Sequence, residues 1–217
     1  MLPLPSLPDQ AARLIALGVP ELTGLSAAAL TAAADGPAGA LLVVHPELLP
    51  PSRLVPLVQR EGRPAFVVAD MTDVDDFTPI DAAAVPDAPI HLVHAPDRGD
   101  ELANRSPDEA LPAITGRGSS PLTLTEGLHW VLQQPAALER NRCFMTIGSR
   151  LRRPDGRLDT RTPALWLSNG TGRDGRERRH APKVGWCWAG NRHTWLGFAS
   201  TAGRSVPVPR AVTTAAG

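Results

Sequence analysis

Apolar residues along this chain fall into blocks of different period, and each block predicts a different kind of element. Near the start, Leu14, Ile15 and Leu17 give one apolar side to a stretch that Asp9 can cap and Gly18 can stop, so a helix is expected over 9–17. A shorter helix is expected from Ser26 to about Asp35–Gly36. Three compact apolar runs follow, Ala40–His45, Ala65–Asp70 and Ile90–His94. They are short, partly β-branched and bounded by Pro or Gly, which marks strands. Between the first two lie Pro46, Pro50, Pro51 and Pro56. Proline removes a helix donor and clashes with the preceding turn, so no long regular helix fits 46–64. The crossover helices of a nucleotide-binding α/β sheet are therefore unsupported, and no Gly-rich phosphate loop follows any of these runs.

The middle of the chain switches to helical spacing with readable caps. Ser106-Pro107-Asp108-Glu109 and Thr123-Leu124-Thr125-Glu126 both place a hydroxyl residue three positions before a glutamate, the pattern of a capping box. The second helix puts Leu124, Leu128, Val131 and Leu132 on one face and ends at Pro135. The pair reads as a helical hairpin around a Gly116–Pro121 loop. A DNA-reading helix-turn-helix is disfavoured, because no Arg or Lys falls between Thr123 and Gln134. Strands return at Cys143–Ser149, Pro163–Ser168, Lys183–Ala189 and Thr194–Ser200, with a Gly- and Arg-rich exposed loop at Gly170–Arg179. The expected fold is α+β, with a mixed, mainly antiparallel sheet, a central helical hairpin and a C-terminal Trp-rich β-hairpin. Residues 1–204 are expected to form one domain and 205–217 a disordered tail.

Composition adds a charge asymmetry hidden by a net charge of zero. Residues 1–110 carry six Arg against sixteen Asp and Glu; residues 111–217 carry the reverse excess, with Lys183 the only lysine. A basic half can attract anions or nucleic acid, but no Lys/Arg stripe falls on a helical face, so the halves are expected to neutralise each other. Two cysteines, Cys143 and Cys187, make no disulfide scaffold. The N-terminus lacks a signal-peptide pattern, and no apolar run approaches the ~20 residues that span a bilayer. A cytoplasmic protein with reduced thiols and no membrane contact is expected.

The densest chemistry lies in Gly185–Gly197, which holds three of the five tryptophans, Cys187, and the polar trio Asn191, Arg192 and His193. If the chain turned at 190–192 and the two strands paired antiparallel, Trp186, Trp188, His193 and Trp195 would share one face, with Cys187, Thr194 and Leu196 on the other. That partition opposes a Cys187–His193 nucleophile–base pair or zinc site and makes Cys187 a small core residue. The indole face has two readings, a core packed against the middle helices or the wall of a pocket. His91 and His94 differ by three on a strand and face opposite ways. The acidic run Asp70, Asp73, Asp75, Asp76 lacks the spacing of a calcium loop.

Pro121–Gly127, Gly148-Ser149-Arg150, Ala164–Ser168 and above all Gly185-Trp-Cys-Trp through His193-Thr-Trp-Leu-Gly197 resemble a group of actinobacterial proteins known as a domain of unknown function. The resemblance covers most of the chain and implies no established activity. Gly170–Arg179 departs from it as a longer connection than a plain turn.

The leading expectation is a small-ligand-binding or interaction module, its partner a small molecule or a protein. The site would be built from Trp188, Asn191, Arg192, His193 and Trp195, with Arg150 nearby. No cofactor or metal is implied. One alternative is an enzyme with His193 as general base. A second is single-strand nucleic-acid binding by indole stacking, although nucleic acid is the less favoured partner.

Overall fold

The computed structural model describes residues 3–207, so the expectation for the chain end from 208 onward lies outside the described residues. Ser6 rather than Asp9 caps α1 (Leu7–Ala16), its hydroxyl accepting from the Asp9 backbone N–H. Pro8 favours the first helical turn, which draws the start upstream of the expected cap. Gly18, left-handed at φ 76°, separates α1 from α2 (Val19–Thr23), an element the apolar pattern does not announce. Ser26 caps α3 (Ala27–Ala32) as expected. After β1 (Leu41–Val44), the proline-rich segment allows only α4 (Pro51–Leu54) and a 3-10 turn at 55–57.

Two minimal strands, β2 (Gln59–Arg60) and β3 (Arg63–Pro64), precede β4 (Phe66–Val67). The expected strand over 65–70 is cut short because Met71 N–H turns back onto the Val68 carbonyl, 3.0 Å away. Next come β5 (Phe77–Pro79) and β6 (Ile90–His94). Both expected capping boxes are present, on α5 (Pro107–Gly116) and α6 (Leu124–Gln133). They do not close as a plain hairpin. The connection holds β7 (Ser120–Pro121), which pairs with a distant strand, while α5 packs on β7 and α6 on β1, α4 and the C-terminal sheet. The last strands are β8 (Cys143–Met145), β9 (Ser149–Leu151), β10 (Arg161–Leu167), β11 (Pro182–Trp188), β12 (Leu196–Phe198), β13 (Ser200–Thr201) and β14 (Gly203–Ser205). The chain therefore stays in a strand through Ser205, one residue into the expected tail.

Two sheets organise the fold, which is α+β. One has the order β1-β6-β14, all antiparallel. The other has the order β12-β8-β10-β11-β4, with parallel pairs at each end and antiparallel pairs between. A Trp-bearing C-terminal hairpin exists, but its strands are β10 and β11, joined through 168–181. The hairpin expected across 190–192 does not form: Asn191 N–H does bond back to Trp188 O at 2.9 Å, yet the chain then leaves to lay β12 parallel to β8.

Helix α6 is buried on every side between the sheets. Gly127 makes the close approach possible; a Cβ there would sit 2.6 Å from Thr146 Cγ2. Burying so complete a helix also buries its polar groups, and each must find a partner. Glu126 closes its capping box on Thr123 N–H at 2.8 Å and also accepts from His91 at 3.0 Å and from Arg204 at 2.5 and 2.7 Å. His129 Nε2 accepts the Val44 N–H at 3.3 Å. Along the same free edge of β1, the buried Gln10 amide bonds both Ala40 O and Leu42 N–H, at 2.8 and 2.9 Å, supplying partners that no strand provides there. No described helix is long and apolar enough to cross a membrane.

Candidate functional site

The register of β10 and β11 sets the floor of a cavity. Trp166 pairs with Lys183 and Thr162 with Cys187, so by strand alternation Trp166, Gly185 and Cys187 face the same way. Gly185 leaves the room that the Trp166 ring takes: a Cβ there would lie 2.4 Å from Trp166 Cη2. Trp195, in the loop before β12, meets Trp166 edge-on, with ring centroids 6.4 Å apart and planes at 72°. These two indoles, with Cys143 and Cys187, wall a cavity of about 660 Å³.

Two turns supply its polar rim. At Glu139–Arg142 the backbones exchange bonds of 3.0 Å in each direction, and Asn141 is left-handed at φ 63°; this turn brings Arg140 and Asn141 to the cavity. Buried Arg98 supports it from behind, donating to Ala137 O at 3.1 Å and Glu139 at 3.2 Å. The second turn is the long β10–β11 connection, which contributes Ser168, Asn169, Arg179 and His180. Expected only as an exposed loop, it is anchored: Asp174 accepts from Ser168 at 2.8 Å and from Lys183 at 2.7 Å. Lys183 also lies 5.2 Å from the Trp166 ring centroid, a cation–π contact on that indole.

The electrostatics of the wall are one-sided. No Asp or Glu lines the cavity, and Arg140 and Arg179 are exposed at its rim without a hydrogen-bond or ionic partner among the described residues. The Trp186 Nε1–H is buried without an acceptor, on the sheet face opposite Trp166 and Cys187. Burial pushes both thiols up to about 11, so Cys143 and Cys187 are neutral at physiological pH. Their positions differ by four residues along β10 and two strand spacings, roughly 16 Å, which no disulfide spans. Cys187 was expected as core filler; it is half-buried and lines the cavity instead.

Of the six residues expected to form a site, Trp195 alone lines this cavity. Trp188 is exposed and packs edge-on against Trp186 with centroids 4.6 Å apart. Asn191 is exposed, and Arg192 is paired with Glu109. The His193 ring packs edge-on against Trp195, centroids 5.5 Å apart, and its backbone carbonyl accepts from Asn104 N–H at 2.8 Å. No described carboxylate orients it as a general base would need. Arg150 is buried on β9, donating to Asp159 O at 2.6 Å, in the field of the Asp108 and Asp159 carboxylates. The expected face that joined Trp195 to Trp186 and Trp188 is also corrected: Trp195 meets Trp166 edge-on, on the side of Cys187. The signals missed were the Ala164–Ser168 segment that carries Trp166 and the arginines of two connections.

Other candidates are committed to the fold. Asp73 pairs with Arg161 at 2.7 Å, and Asp75 accepts from Ser52 N–H at 2.8 Å. His91 faces inward to Glu126, and His94 faces outward to Ser205 at 2.8 Å.

A family model described as "Family of unknown function (DUF5701)" matches residues 13–207, nearly the whole chain. No curated protein and no solved structure matches it.

Proposed function

We propose that this chain, which belongs to the family of unknown function DUF5701, binds a small molecule in the cavity between the Glu139–Arg142 turn and the β10–β11 connection. One observation carries the reading: two indoles and two unpaired arginines converge on a space of about 660 Å³. That volume is in the range of small-molecule sites, which are mostly apolar with a few convergent polar groups. A core would have filled this space with side chains packed to crystal-like density. The reading keeps Trp195 from the expected site and replaces its neighbours at 188–193 with Trp166, Arg140 and Arg179.

Quenching of tryptophan fluorescence across a panel of anionic, neutral and cationic metabolites tests it. Trp166→Ala and Trp195→Ala are expected to remove binding while melting as cooperatively as the parent, and Trp188→Ala to leave it intact. Loss of binding in Trp188→Ala with retention in both cavity variants would return the site to the 188–193 loop.

A further inference from the structure

We infer that the ligand is a planar aromatic anion, an aryl carboxylate or aryl phosphate, with its ring in the Trp166–Trp195 corner and its charge toward Arg140 and Arg179. This rests on the cavity being a ligand site. Three features of the wall point the same way.

The first is the hydrogen-bonding inventory. Guanidinium groups only donate. Arg140 and Arg179 stand exposed at the cavity rim, and no described carboxylate or carbonyl is bonded to either guanidinium. A ligand that satisfied them would have to be rich in acceptors. A carboxylate or phosphate supplies several on one group, and its charge strengthens each bond.

The second is the exclusion of cations. Stacked indoles alone would suit a quaternary ammonium as well as an aromatic ring. Here Lys183 Nζ already lies 5.2 Å from the Trp166 ring, and its own carboxylate partner, Asp174, is outside the cavity wall. A second cation would find that indole already occupied by Lys183 and would meet two arginines with no carboxylate in the wall to offset them.

The third is shape. Trp166 and Trp195 meet at 72° with centroids 6.4 Å apart. A flat ring placed in that corner stacks on one indole and presents its edge to the other, and both arrangements are favourable for aromatic pairs. A branched aliphatic anion would satisfy the arginines but not this corner.

Calorimetric titration of the full chain with four probes of one ring system tests the inference: 2-naphthoate, 2-naphthyl phosphate, 2-naphthamide and 2-naphthylmethylammonium. At least one anion is expected to bind about tenfold or more tighter than the amide, a difference of about 1.4 kcal/mol, and the ammonium to bind weakest. The carboxylate and phosphate arms tell which anion the arginines suit. In the Arg140→Gln/Arg179→Gln double variant, the advantage of the anion should vanish and the affinity of the amide should stay within about twofold, with an unchanged melt showing that the fold is intact. If the amide or ammonium binds as tightly as both anions, and Trp166→Ala abolishes that binding, the anion inference fails and the cavity reading stands. If no probe binds at millimolar concentration, both fail.

Discussion

Acid should destabilise this protein well before its carboxylates titrate, and His129 should be a principal cause. Its side chain is fully buried in α6, and Nε2 accepts the Val44 N–H, a role that requires the neutral ring. Burial, reinforced by neighbouring His91, holds its pKa down to about 3 from an ordinary 6.5. His91 and Glu126 are the titratable groups that act on it, and Glu126 acts in the opposite sense, too weakly to offset burial. Below pH 6.5 the unfolded chain takes up a proton that the folded chain refuses, so stability falls as pH falls, until about pH 3. Once the unfolded ring is protonated each pH unit costs about 1.4 kcal/mol, which comes to roughly 2 kcal/mol between pH 6.5 and 4.5. His129→Gln offers Val44 an amide oxygen in nearly the same place and cannot titrate. Urea unfolding from pH 7.5 to 4.5 should therefore show the variant's stability falling less steeply than the parent's by about one proton's worth. Parallel curves would refute the assignment and place the proton uptake elsewhere.

Three further outcomes follow from packing and charge. Glu126→Ala should cost about 3–5 kcal/mol in urea unfolding, because it leaves buried Arg204 uncompensated. Adding Arg204→Met should recover part of that loss, and an additive second loss would contradict the pairing. The parent's own contribution from this carboxylate, held at about 2, should be fully present above pH 4.5 and disappear between pH 4.5 and 2. Gly185→Ala should cost about 1–3 kcal/mol and alter the near-ultraviolet circular dichroism as Trp166 is displaced; an unchanged spectrum would mean the ring does not need that space. Gly99→Ala should be harsher, over about 3 kcal/mol by urea unfolding, since φ is +69° and the new methyl would lie 2.2 Å from the rigid Phe198 carbonyl oxygen. A loss under 1 kcal/mol there, on the order of an ordinary surface change, would show that the backbone relaxes.

What could be read from the residues was what depends on near neighbours. The capping boxes at Ser106–Glu109 and Thr123–Glu126 are local hydrogen bonds, and both formed where the spacing put them. Ile90–His94 kept its predicted bounds because a short, partly β-branched run between turn residues has few other conformations open to it. The strand partners were not legible, because pairing is decided by packing far along the chain. The 190–192 turn looked like a hairpin tip, but Leu196–Phe198 gained more by extending the sheet beside Cys143–Met145, across a separation that local turn chemistry does not report. Glu126 read as a capping residue, and its other partners, His91 and Arg204, lie 35 and 78 residues away. The cavity shares only Trp195 with the six residues of the expected site. Trp195 belongs to the cavity, whereas Arg140 and Arg179 come from connections with no periodicity to mark them.

The five tryptophans themselves provide the most direct test. Each indole N–H gives one cross-peak in a ¹H–¹⁵N spectrum, assignable by single substitutions. On titration with 2-naphthoate, the peaks of Trp166 and Trp195 should move together along one binding curve. Trp130 should not, since its N–H is held by Gln134 at 2.9 Å in the core. Movement centred on Trp188, with Trp166 and Trp195 unmoved, would contradict the cavity as the binding site.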